Sequence, residues 1–358
     1  MIGILTFIGT QSHGACWQAF ALKTELKELG YETEIIDYIA PGIKQAKENK
    51  YPKNNKNWKK KLGAIKRLPV LKQRWKKFDE FEKQYLEINV RKEYLDTEKY
   101  DAVIVGSDQV WNLEITGNDY NFFLADLQPG KQKWTYAASL GVDAFPEEAK
   151  ERCVALLQSF SFLNVREDSL RAYLQPMLPD KQIHTVLDPT LLLSGEKWKS
   201  IVPKTPLEKE PYLLVHYPED TSAVWNQIMQ IAKEKNLKIL YITNRIKKKK
   251  GCQCLYAVSP VEYLQYIYYA DMVVTGSFHT LSFSLTFHKN FWCTRSMIAE
   301  RNSRLSNLLN VAGCEDRLLE QYTGTAPDFI QVDRRVGEAR TRSIEILENM
   351  CQNTVKGR

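Results

Sequence analysis

The sequence has no apolar run long enough to cross a bilayer, which takes about 20 residues in a helix. Its first residues also lack the basic flank and the small-residue cleavage site of a secretory signal peptide. The first absence argues against a membrane-spanning helix and the second against secretion, so we expect a cytoplasmic protein. With 44% hydrophobic and 26% charged residues, the composition is typical of a soluble globular chain, and 358 residues favour two domains.

The cysteines lack the pattern of a disulfide framework. There are seven of them, an odd number, scattered along the chain, so we expect reduced thiols. Cys252 and Cys254 are close in sequence, but no second pair and no histidine cluster stands near them. Because a tetrahedral zinc site needs four such ligands, the sequence predicts no metal site.

Acidic residues are almost missing from one strongly basic segment. Between Lys44 and Lys77 the chain carries fourteen lysines and arginines, which contribute much of the net charge of +7. One interpretation is a solvated helical insertion over residues 41–85. The other is attraction to anionic lipid head groups or to a phosphate-linked substrate, which leaves open a peripheral position at the inner face of the membrane. No nucleic-acid-binding motif accompanies the charge, so we do not expect nucleic acid as a partner.

Alternating strand and helix patterns predict an α/β fold. The apolar run Ile2–Phe7, the helical spacing over Ala15–Leu29 and the strand pattern Thr33–Tyr38 make a βαβ unit, which implies a parallel sheet. A similar series begins at Tyr212, and its helix from Pro260 carries a capping box formed by Ser259 and Glu262. Further strands are predicted at Asp101–Val105, Lys133–Leu140, Phe162–Arg166, Leu237–Thr243 and Met272–Thr275, and further helices at Pro146–Phe160, Thr221–Lys235 and Arg335–Cys351.

The helical and strand periodicity lapses between Ser194 and Pro211, where three prolines occur. Such a stretch is typical of an exposed connection between domains. We therefore predict an N-terminal domain of residues 1–200 and a C-terminal domain of residues 211–358. Ligands of open α/β sheets bind beyond the carboxyl ends of the strands, so the loops at those ends should carry the chemistry.

The first of these loops, Gly9–Gly14, has the glycine spacing of a P-loop. Ala15 and Cys16 follow it where a lysine and a hydroxyl residue are required, which argues against nucleoside triphosphate binding. What remains is a turn onto a helix N-terminus, which serves either as a structural turn or as a ligand loop with free backbone donors.

The second loop, Gly106–Asn112, reads GSDQVWN. A carboxylate and amides at the end of a strand suit the hydroxyls of a carbohydrate, which makes Asp108 and Asn112 candidate ligands. Trp111 is more typical of the core.

Two further loops supply a cation and a histidine. Arg166 ends a predicted strand and can hold a carboxylate or a phosphate with its fork of donors, although a surface salt bridge to Glu167 or Asp168 is the alternative. After the strand Met272–Thr275, Ser277 can cap the next helix and donate to an anion, and His279 lies in its first turn. A histidine there can donate and accept protons near neutral pH.

Six motifs, in this order, resemble those of the polysaccharide pyruvyl transferases. They cover most of the chain and lie at Gly14–Leu22, Gly106–Asn112, Tyr136–Gly141, Val165–Ser169, Leu187–Leu192 and Ser277–His279.

The resemblance implies two Rossmann-like domains facing a central cleft, in a GT-B-like arrangement, with phosphoenolpyruvate bound there. It implies transfer of a pyruvyl group to two hydroxyls of a glycan sugar, with phosphoenolpyruvate as co-substrate, no cofactor and no metal. Whether the saccharide acceptor is lipid-linked is left open. The predicted roles are catalysis by His279 and Asp108, donor binding by Arg166, Ser277, Phe278, Arg295 and Arg304, and acceptor binding by Ser12, His13, Gly14 and Asn112.

The chain departs from the family pattern at two places. Some members carry arginine where this chain has Ser277, so part of the grip on the donor must come from elsewhere, and Arg295, Arg301 and Arg304 are the candidates. Many members read Asn-Tyr-Gly where this chain has Ser12, His13 and Gly14, which bears on the identity of the acceptor. Two alternative functions stay open, a nucleotide-sugar-dependent glycosyltransferase on a similar scaffold and a non-catalytic glycan-binding protein.

Overall fold

A computed structural model describes residues 1–49, 58–217, 224–246, 248–295 and 302–355. The chain forms two compact units. Unit 1 comprises Met1–Trp58, Asp79–Leu192 and Glu338–Arg358, and unit 2 comprises Lys59–Phe78 and Leu193–Gly337. The chain therefore passes from one unit to the other four times.

Both units are built from short parallel strands connected largely by helices. The strands are β1 (Ile2–Leu5), β2 (Thr33–Ile35), β3 (Ala102–Val105), β4 (Gln132–Thr135), β5 (Leu163–Val165), β6 (Ile183–Thr185), β7 (Tyr212–His216), β8 (Lys238–Ile242), β9 (Gln253–Leu255), β10 (Met272–Thr275) and β11 (Asn290–Cys293). The α-helices are α1 (His13–Glu28), α2 (Pro41–Asn49), α3 (Trp58–Phe81), α4 (Leu113–Thr116), α5 (Glu147–Leu157), α6 (Asp168–Leu174), α7 (Gly195–Ile201), α8 (Trp225–Glu234), α9 (Pro260–Tyr268), α10 (Phe278–Thr286), α11 (Ser303–Ala312) and α12 (Phe329–Val355).

Unit 1 is organised by a four-stranded parallel sheet in the order β2-β1-β3-β4. Single bridges at Trp134–Phe162 and Ala138–Val165 join this sheet to the parallel pair of β5 and β6. Strands β1 and β3 are buried at every position, as expected for a parallel sheet covered on both faces. The strand order reverses between β1 and β3, so the loops after these two strands diverge and leave room for a site.

Unit 2 contains a five-stranded parallel sheet in the order β9-β8-β7-β10-β11. Numbered from its first strand, this is the 3-2-1-4-5 order of a Rossmann-like sheet. The order reverses between β7 and β10. The carboxyl ends of these two strands are therefore the place where the topology favours a ligand.

The domain division predicted from sequence differs from the one in the structure. Trp198, in the predicted linker, is fully buried and packs edge-on against Phe283 at 5.0 Å, which makes α7 part of unit 2. Helix α3, predicted to be an insertion in the N-terminal domain, contributes Lys59–Phe78 to unit 2. The last part of α12 belongs to unit 1, where Ser343 Oγ accepts a hydrogen bond from the Leu187 backbone N–H at 3.0 Å.

The strand predicted at Lys133–Leu140 ends after Thr135. Ala137 has a φ of +50°, a left-handed backbone conformation that breaks the extended chain. Ala138 then keeps two isolated bridges, to Asp108 on one side and Val165 on the other. The segment thus connects the loop after β3 with the end of β5 instead of extending β4.

Two local predictions are confirmed. Trp111 is fully buried, and its indole N–H donates to the Phe122 carbonyl at 3.1 Å. The capping box of α9 is complete, because Ser259 and Glu262 each accept a hydrogen bond from the backbone N–H of the other. Separately, no helix in the part of the chain that the structure describes is long and apolar enough to cross a membrane.

Candidate functional site

The loops after β1, β3 and β6 meet in a buried hydrogen-bond network in unit 1. Gln18 of α1 donates to Thr6 at 2.8 Å and accepts from the Ser107 backbone N–H at 3.1 Å. Ser107 in turn donates to Asp188 at 3.2 Å. The loop after β3 passes close to the segment after β4. Glycine is required at position 106 in that loop, because a Cβ there would lie 2.2 Å from the Tyr136 carbonyl oxygen. The motifs that carry the family resemblance in unit 1 are therefore largely parts of one network.

Arg166 lies at the centre of this network and is 2% exposed. Its guanidinium contacts Asp188 at 2.9 Å and Glu167 at 3.1 Å, and Asp108 is 3.6 Å away. Burial lowers the pKa of the guanidinium, but the charges of Glu167, Asp188 and Asp108 together outweigh burial and raise this pKa above its usual value. Three carboxylates around one cation give the cluster a net negative charge. This favours a structural role for Arg166, in which it connects the loops, over a role in binding an anionic ligand.

Asp108 itself has a left-handed backbone, with a φ of +76°, and is 7% exposed. Its Oδ1 accepts the Gln109 backbone N–H at 2.9 Å. A non-glycine residue in this conformation at the end of a strand is the kind of local strain that clusters at functional sites. Its predicted catalytic role nevertheless stays a prediction.

The residues predicted to bind the acceptor lie at two helix starts in unit 1. Ser12 caps α1 by accepting the Ala15 backbone N–H at 3.2 Å, and the next two residues, His13 and Gly14, are buried in the first turn. Asn112 caps α4, since its Oδ1 accepts the backbone N–H groups of Glu114 and Ile115. The capping contacts explain the local need for Ser12 and Asn112, and binding of a sugar by any of the four stays a prediction.

In unit 2, the loop after β10 leads directly into α10. Ser277 is the residue before this helix, yet its side chain makes no capping hydrogen bond, contrary to the sequence-based prediction. Instead, it lies close enough to Tyr263 to act on the pKa of that phenol. Phe278 and His279 follow, with their rings edge-to-face at 5.1 Å, and His279 is 8% exposed. His279 therefore lies in the first turn of α10, as predicted.

A chain of hydrogen bonds links α9, α10 and β7 at this edge of the sheet. The Tyr263 hydroxyl lies 2.8 Å from Thr280 Oγ1, which lies 2.6 Å from His216 Nδ1. Tyr263 and Thr280 are fully buried. A threonine hydroxyl can donate one hydrogen bond and accept another, so Thr280 can bridge the two rings. His216 is thereby held at the carboxyl end of β7, where the strand order reverses.

The electrostatic surroundings of His216 are positive. Burial, then the charge of Arg74 and then that of His279 lower the pKa of His216 to about 3, so its imidazole is neutral at pH 7. Arg74, on α3, is 4% exposed, and burial lowers the pKa of its guanidinium to about 10. Arg74 and His279 thus act electrostatically on a neutral His216 in unit 2.

The loop after β11 lies beside the same edge. The Tyr217 ring covers Gly276, where a Cβ would come within 2.3 Å of its ring atoms, and the Tyr217 hydroxyl donates to the Arg295 carbonyl at 2.8 Å. The Arg295 side chain itself is 58% exposed and 3.9 Å from Glu320. Arg304 is partly buried on α11. Arg301, the remaining sequence-based candidate, lies outside the described residues.

Sequence reasoning did not single out Arg74, Thr280, Tyr263 or His216. Arg74 was grouped with the solvated basic residues, although Trp75, Phe78 and Phe81 mark a buried face of α3 at helical spacing. His216 could have been found by its position at the end of a strand, as His279 was found by its position after one.

Metal binding has no visible basis in the part of the chain that the structure describes, where no three His, Cys, Asp or Glu side chains are arranged to hold an ion. The seven cysteines are thiols.

Comparison with solved structures bears on the fold. The chain is similar to a UDP-N-acetylglucosamine 2-epimerase from Listeria monocytogenes, with a TM-score of 0.50 and 11% identity over 97% of this chain and 90% of that chain. It is also similar to the UDP-GlcNAc 2-epimerase from Neisseria meningitidis bound to UDP-GlcNAc, with a TM-score of 0.49 and 11% identity over 97% and 98% of the two chains. The first likeness confirms the predicted GT-B-like fold class and shows nothing beyond the fold.

Two sequence comparisons concern the family to which the chain belongs. No curated protein sequence matches the chain. The model of the family described as polysaccharide pyruvyl transferase matches residues 13–295, a span that contains all the unit 1 and unit 2 motifs described above except the Gly9–Ser12 part of the first loop. Because this match extends over well more than half of the sequence, the chain belongs to the polysaccharide pyruvyl transferase family.

Proposed function

We propose that the protein transfers a pyruvyl group from phosphoenolpyruvate to two hydroxyls of a glycan sugar, forming a cyclic ketal and releasing phosphate. The observation that carries the proposal is the position of His279. It places a group able to transfer protons in the first turn of α10, directly after the carboxyl end of β10. Family membership supports a transferase acting on polysaccharide.

The reaction needs one proton delivered to carbon. Protonation of the methylene C3 of phosphoenolpyruvate makes C2 electrophilic, and a sugar hydroxyl adds to C2 while losing its proton to a base. The C2–O bond to phosphate then breaks, and a second hydroxyl attacks C2 and closes the ketal. The two hydroxyl protons balance the one gained by C3 and the one carried away by phosphate. We assign the proton transfer at C3 to His279.

Other side chains are assigned positioning and binding roles in this proposal. Thr280 and Tyr263 hold the ring of His216, whose low pKa keeps it neutral and suited to donating or accepting a hydrogen bond. Asp108 and Asn112 of unit 1 are proposed to contact the acceptor. Donor binding by Arg166 stays a prediction that its carboxylate contacts argue against.

The test is turnover with a matched pair of variants. Purified protein is incubated with phosphoenolpyruvate and a panel of oligosaccharides, and free phosphate and sugar products are measured. The expected product has the mass of the acceptor plus pyruvate less one water. His279→Asn should lower the rate by about 100- to 10,000-fold, the usual effect of losing a general acid. His288→Asn is the control, because His288 is 50% exposed and pairs with Asp333 at the surface of unit 2.

Two outcomes would overturn the proposal. One is failure of the wild type to bind phosphoenolpyruvate while it binds and hydrolyses or transfers from a nucleotide sugar, which would favour a glycosyltransferase. The other is glycan binding by a protein that gives no turnover with either donor, which would favour a non-catalytic binding protein.

A further inference from the structure

Helix α3 is strongly basic over the part that belongs to unit 2. Residues 59–78 contain nine lysines and arginines and no aspartate or glutamate. Two of the nine belong to the packed side of the helix, since Arg74 is 4% exposed and Lys77 donates to both carboxylate oxygens of Glu262 at 2.7 Å. Arg67 and Lys72, by contrast, are exposed. The helix thus presents cations to the solvent while it is fastened to unit 2.

One side of α3 is exposed over the described residues 67–78. Pro69, Lys72 and Lys76 are exposed and recur at intervals of three and four residues, which places them on one side of a helix. Trp75 and Phe78 are buried and lie on the other side. The helix is therefore anchored to the core by one side, and its other side faces solvent.

Apolar side chains lie between the exposed cations of α3. Leu68, Val70 and Leu71 are only partly buried, and they stand between the exposed Arg67 and Lys72. Part of their apolar surface therefore stays in water, which costs free energy until another apolar surface covers it. Cations around a small apolar surface suit a partner that is anionic at its surface and apolar beneath it.

The same pattern continues in the sequence toward the start of the helix. Intervals of four, three and four residues lead back from Pro69 to Ile65, Leu62 and Trp58, the first residue of α3. Three lysines stand among these positions, namely Lys59, Lys61 and Lys66. An apolar stripe that contains a tryptophan and is flanked by lysines is typical of a helix that lies in a membrane interface.

The two units carry net charges of opposite sign. Unit 2 has 28 lysines and arginines against 14 aspartates and glutamates, whereas unit 1 has 22 against 29. Besides α3, unit 2 carries a second basic run after β8, formed by Arg245 and residues 247–250. An anionic surface therefore attracts unit 2 and repels unit 1.

We propose that the exposed side of α3 docks unit 2 on the surface of a membrane that contains anionic phospholipids. The cations of α3 would contact the lipid head groups, and the apolar residues between them would enter the interface. A nucleic acid would use the cations but would leave the apolar residues in water, so it fits this surface less well. The membrane contact does not depend on which donor the protein uses in the proposed reaction.

The experiment measures sedimentation of the full chain with vesicles. Vesicles of phosphatidylglycerol mixed with phosphatidylcholine are compared with vesicles of phosphatidylcholine alone. The wild type should bind the anionic vesicles at low salt, bind them less well as salt rises, and leave the neutral vesicles unbound. The double variant Arg67→Gln/Lys72→Gln should bind the anionic vesicles about 10- to 30-fold more weakly, because each cation near an anionic surface contributes about a factor of five.

The matched control is Lys233→Gln/Lys235→Gln. It removes two exposed lysines of unit 2 that precede the amino end of β8. The control should bind the anionic vesicles as the wild type does. Turnover with soluble oligosaccharides should stay unchanged in Arg67→Gln/Lys72→Gln, which keeps this test separate from that of the proposed function.

Three outcomes overturn the inference. One is the absence of binding to anionic vesicles by the wild type at low salt. Another is an equal affinity of the wild type and Arg67→Gln/Lys72→Gln, or an equal loss in this variant and its control. The third is binding of a single-stranded nucleic acid, lost in Arg67→Gln/Lys72→Gln, by a protein that leaves the vesicles unbound, which would assign the basic surface to nucleic acid.

A second measurement uses only the wild-type protein and so does not depend on folding of the variants. Anionic vesicles should slow the hydrogen exchange of backbone amides over residues 67–73 of α3. Exchange over residues 228–234 of α8 serves as the reference and should stay unchanged. Slower exchange in α8 without a change in α3 would place the docking surface elsewhere and overturn the inference.

Discussion

Arg166 and Arg74 are both almost fully buried, but the groups on which they act differ. Arg166 is held by three carboxylates of unit 1, whereas the charge of Arg74 lowers the pKa of His216 in unit 2. The same side-chain type is therefore buried in two different electrostatic surroundings. At Arg166 it compensates charges that the fold has buried, and at Arg74 burial lowers the pKa of the guanidinium to about 10.

The residue-scale prediction concerns Arg166→Met. Removing the guanidinium leaves Glu167 and Asp188 buried without their cation, so the free energy of unfolding of unit 1 should fall by about 3–5 kcal/mol. Arg171→Met removes an exposed arginine, 48% accessible and 3.6 Å from Asp168, and should cost less than about 1 kcal/mol. Thermal and urea unfolding of the two variants measure the difference.

A role of Arg166 in donor binding predicts a different result for the same variant. If Arg166 gripped phosphoenolpyruvate, Arg166→Met would keep its stability and lose affinity for the donor. That result would contradict the structural role argued for this residue.

At the scale of elements, the carboxylate of Glu262 makes two interactions at the N-terminus of α9. Glu262 accepts the Ser259 backbone N–H at 2.7 Å in the capping box and also pairs with Lys77 of α3. The cap is a local feature that stabilises the helix N-terminus. The ion pair joins residues 185 apart in sequence and ties α3 to unit 2.

Glu262→Ala should therefore destabilise unit 2 more than Lys77→Met. Loss of the cap and the pair together should cost about 1–2 kcal/mol, and loss of the partly exposed pair alone less than about 1 kcal/mol. Lys72→Met removes an exposed lysine of α3 and is the control. Hydrogen exchange over residues 67–78 should speed up in Lys77→Met but not in Lys72→Met. Equal exchange in these two variants would show that the pair does not hold α3.

At the scale of the whole molecule, the chain returns to unit 1 through α12. Leu347, Met350 and Cys351 are fully buried, and Arg340 Nε donates to the Leu191 carbonyl at 2.6 Å. The final helix is thus part of the unit in which the chain begins. A division of the sequence into a first and a second half misses this return.

Leu347→Ala should lower the stability of unit 1 by about 2–5 kcal/mol, the cost of a large-to-small change in a packed core. Hydrogen exchange should increase in β1 and β3 of unit 1 and stay unchanged in β7 and β10 of unit 2. Glu345→Ala, at an exposed position of the same helix, should change neither. Faster exchange in β7 and β10 alone would contradict the assignment of this helix to unit 1.

Local features of the sequence determined much of the fold. Apolar runs predicted β1, β3 and β10, and the strand Met272–Thr275 was predicted to the residue. The capping box of α9 was predicted because all its groups lie within four residues. The six ordered motifs predicted the family, and His279 was placed in the first turn of its helix. Each of these depends on residues that are close in sequence, where periodicity and capping act.

Only the tertiary structure decided which charges meet. Ser107 and Asp188 are 81 residues apart, and Lys77 and Glu262 are 185 apart. Such pairs form because parallel strands bring distant loops to one edge of a sheet and because helices pack by their buried faces, neither of which a local pattern specifies. The sequence by itself determined the α/β class, the family and the candidate loops, while the burial of Arg166 among carboxylates and of Arg74 in unit 2 was decided by packing.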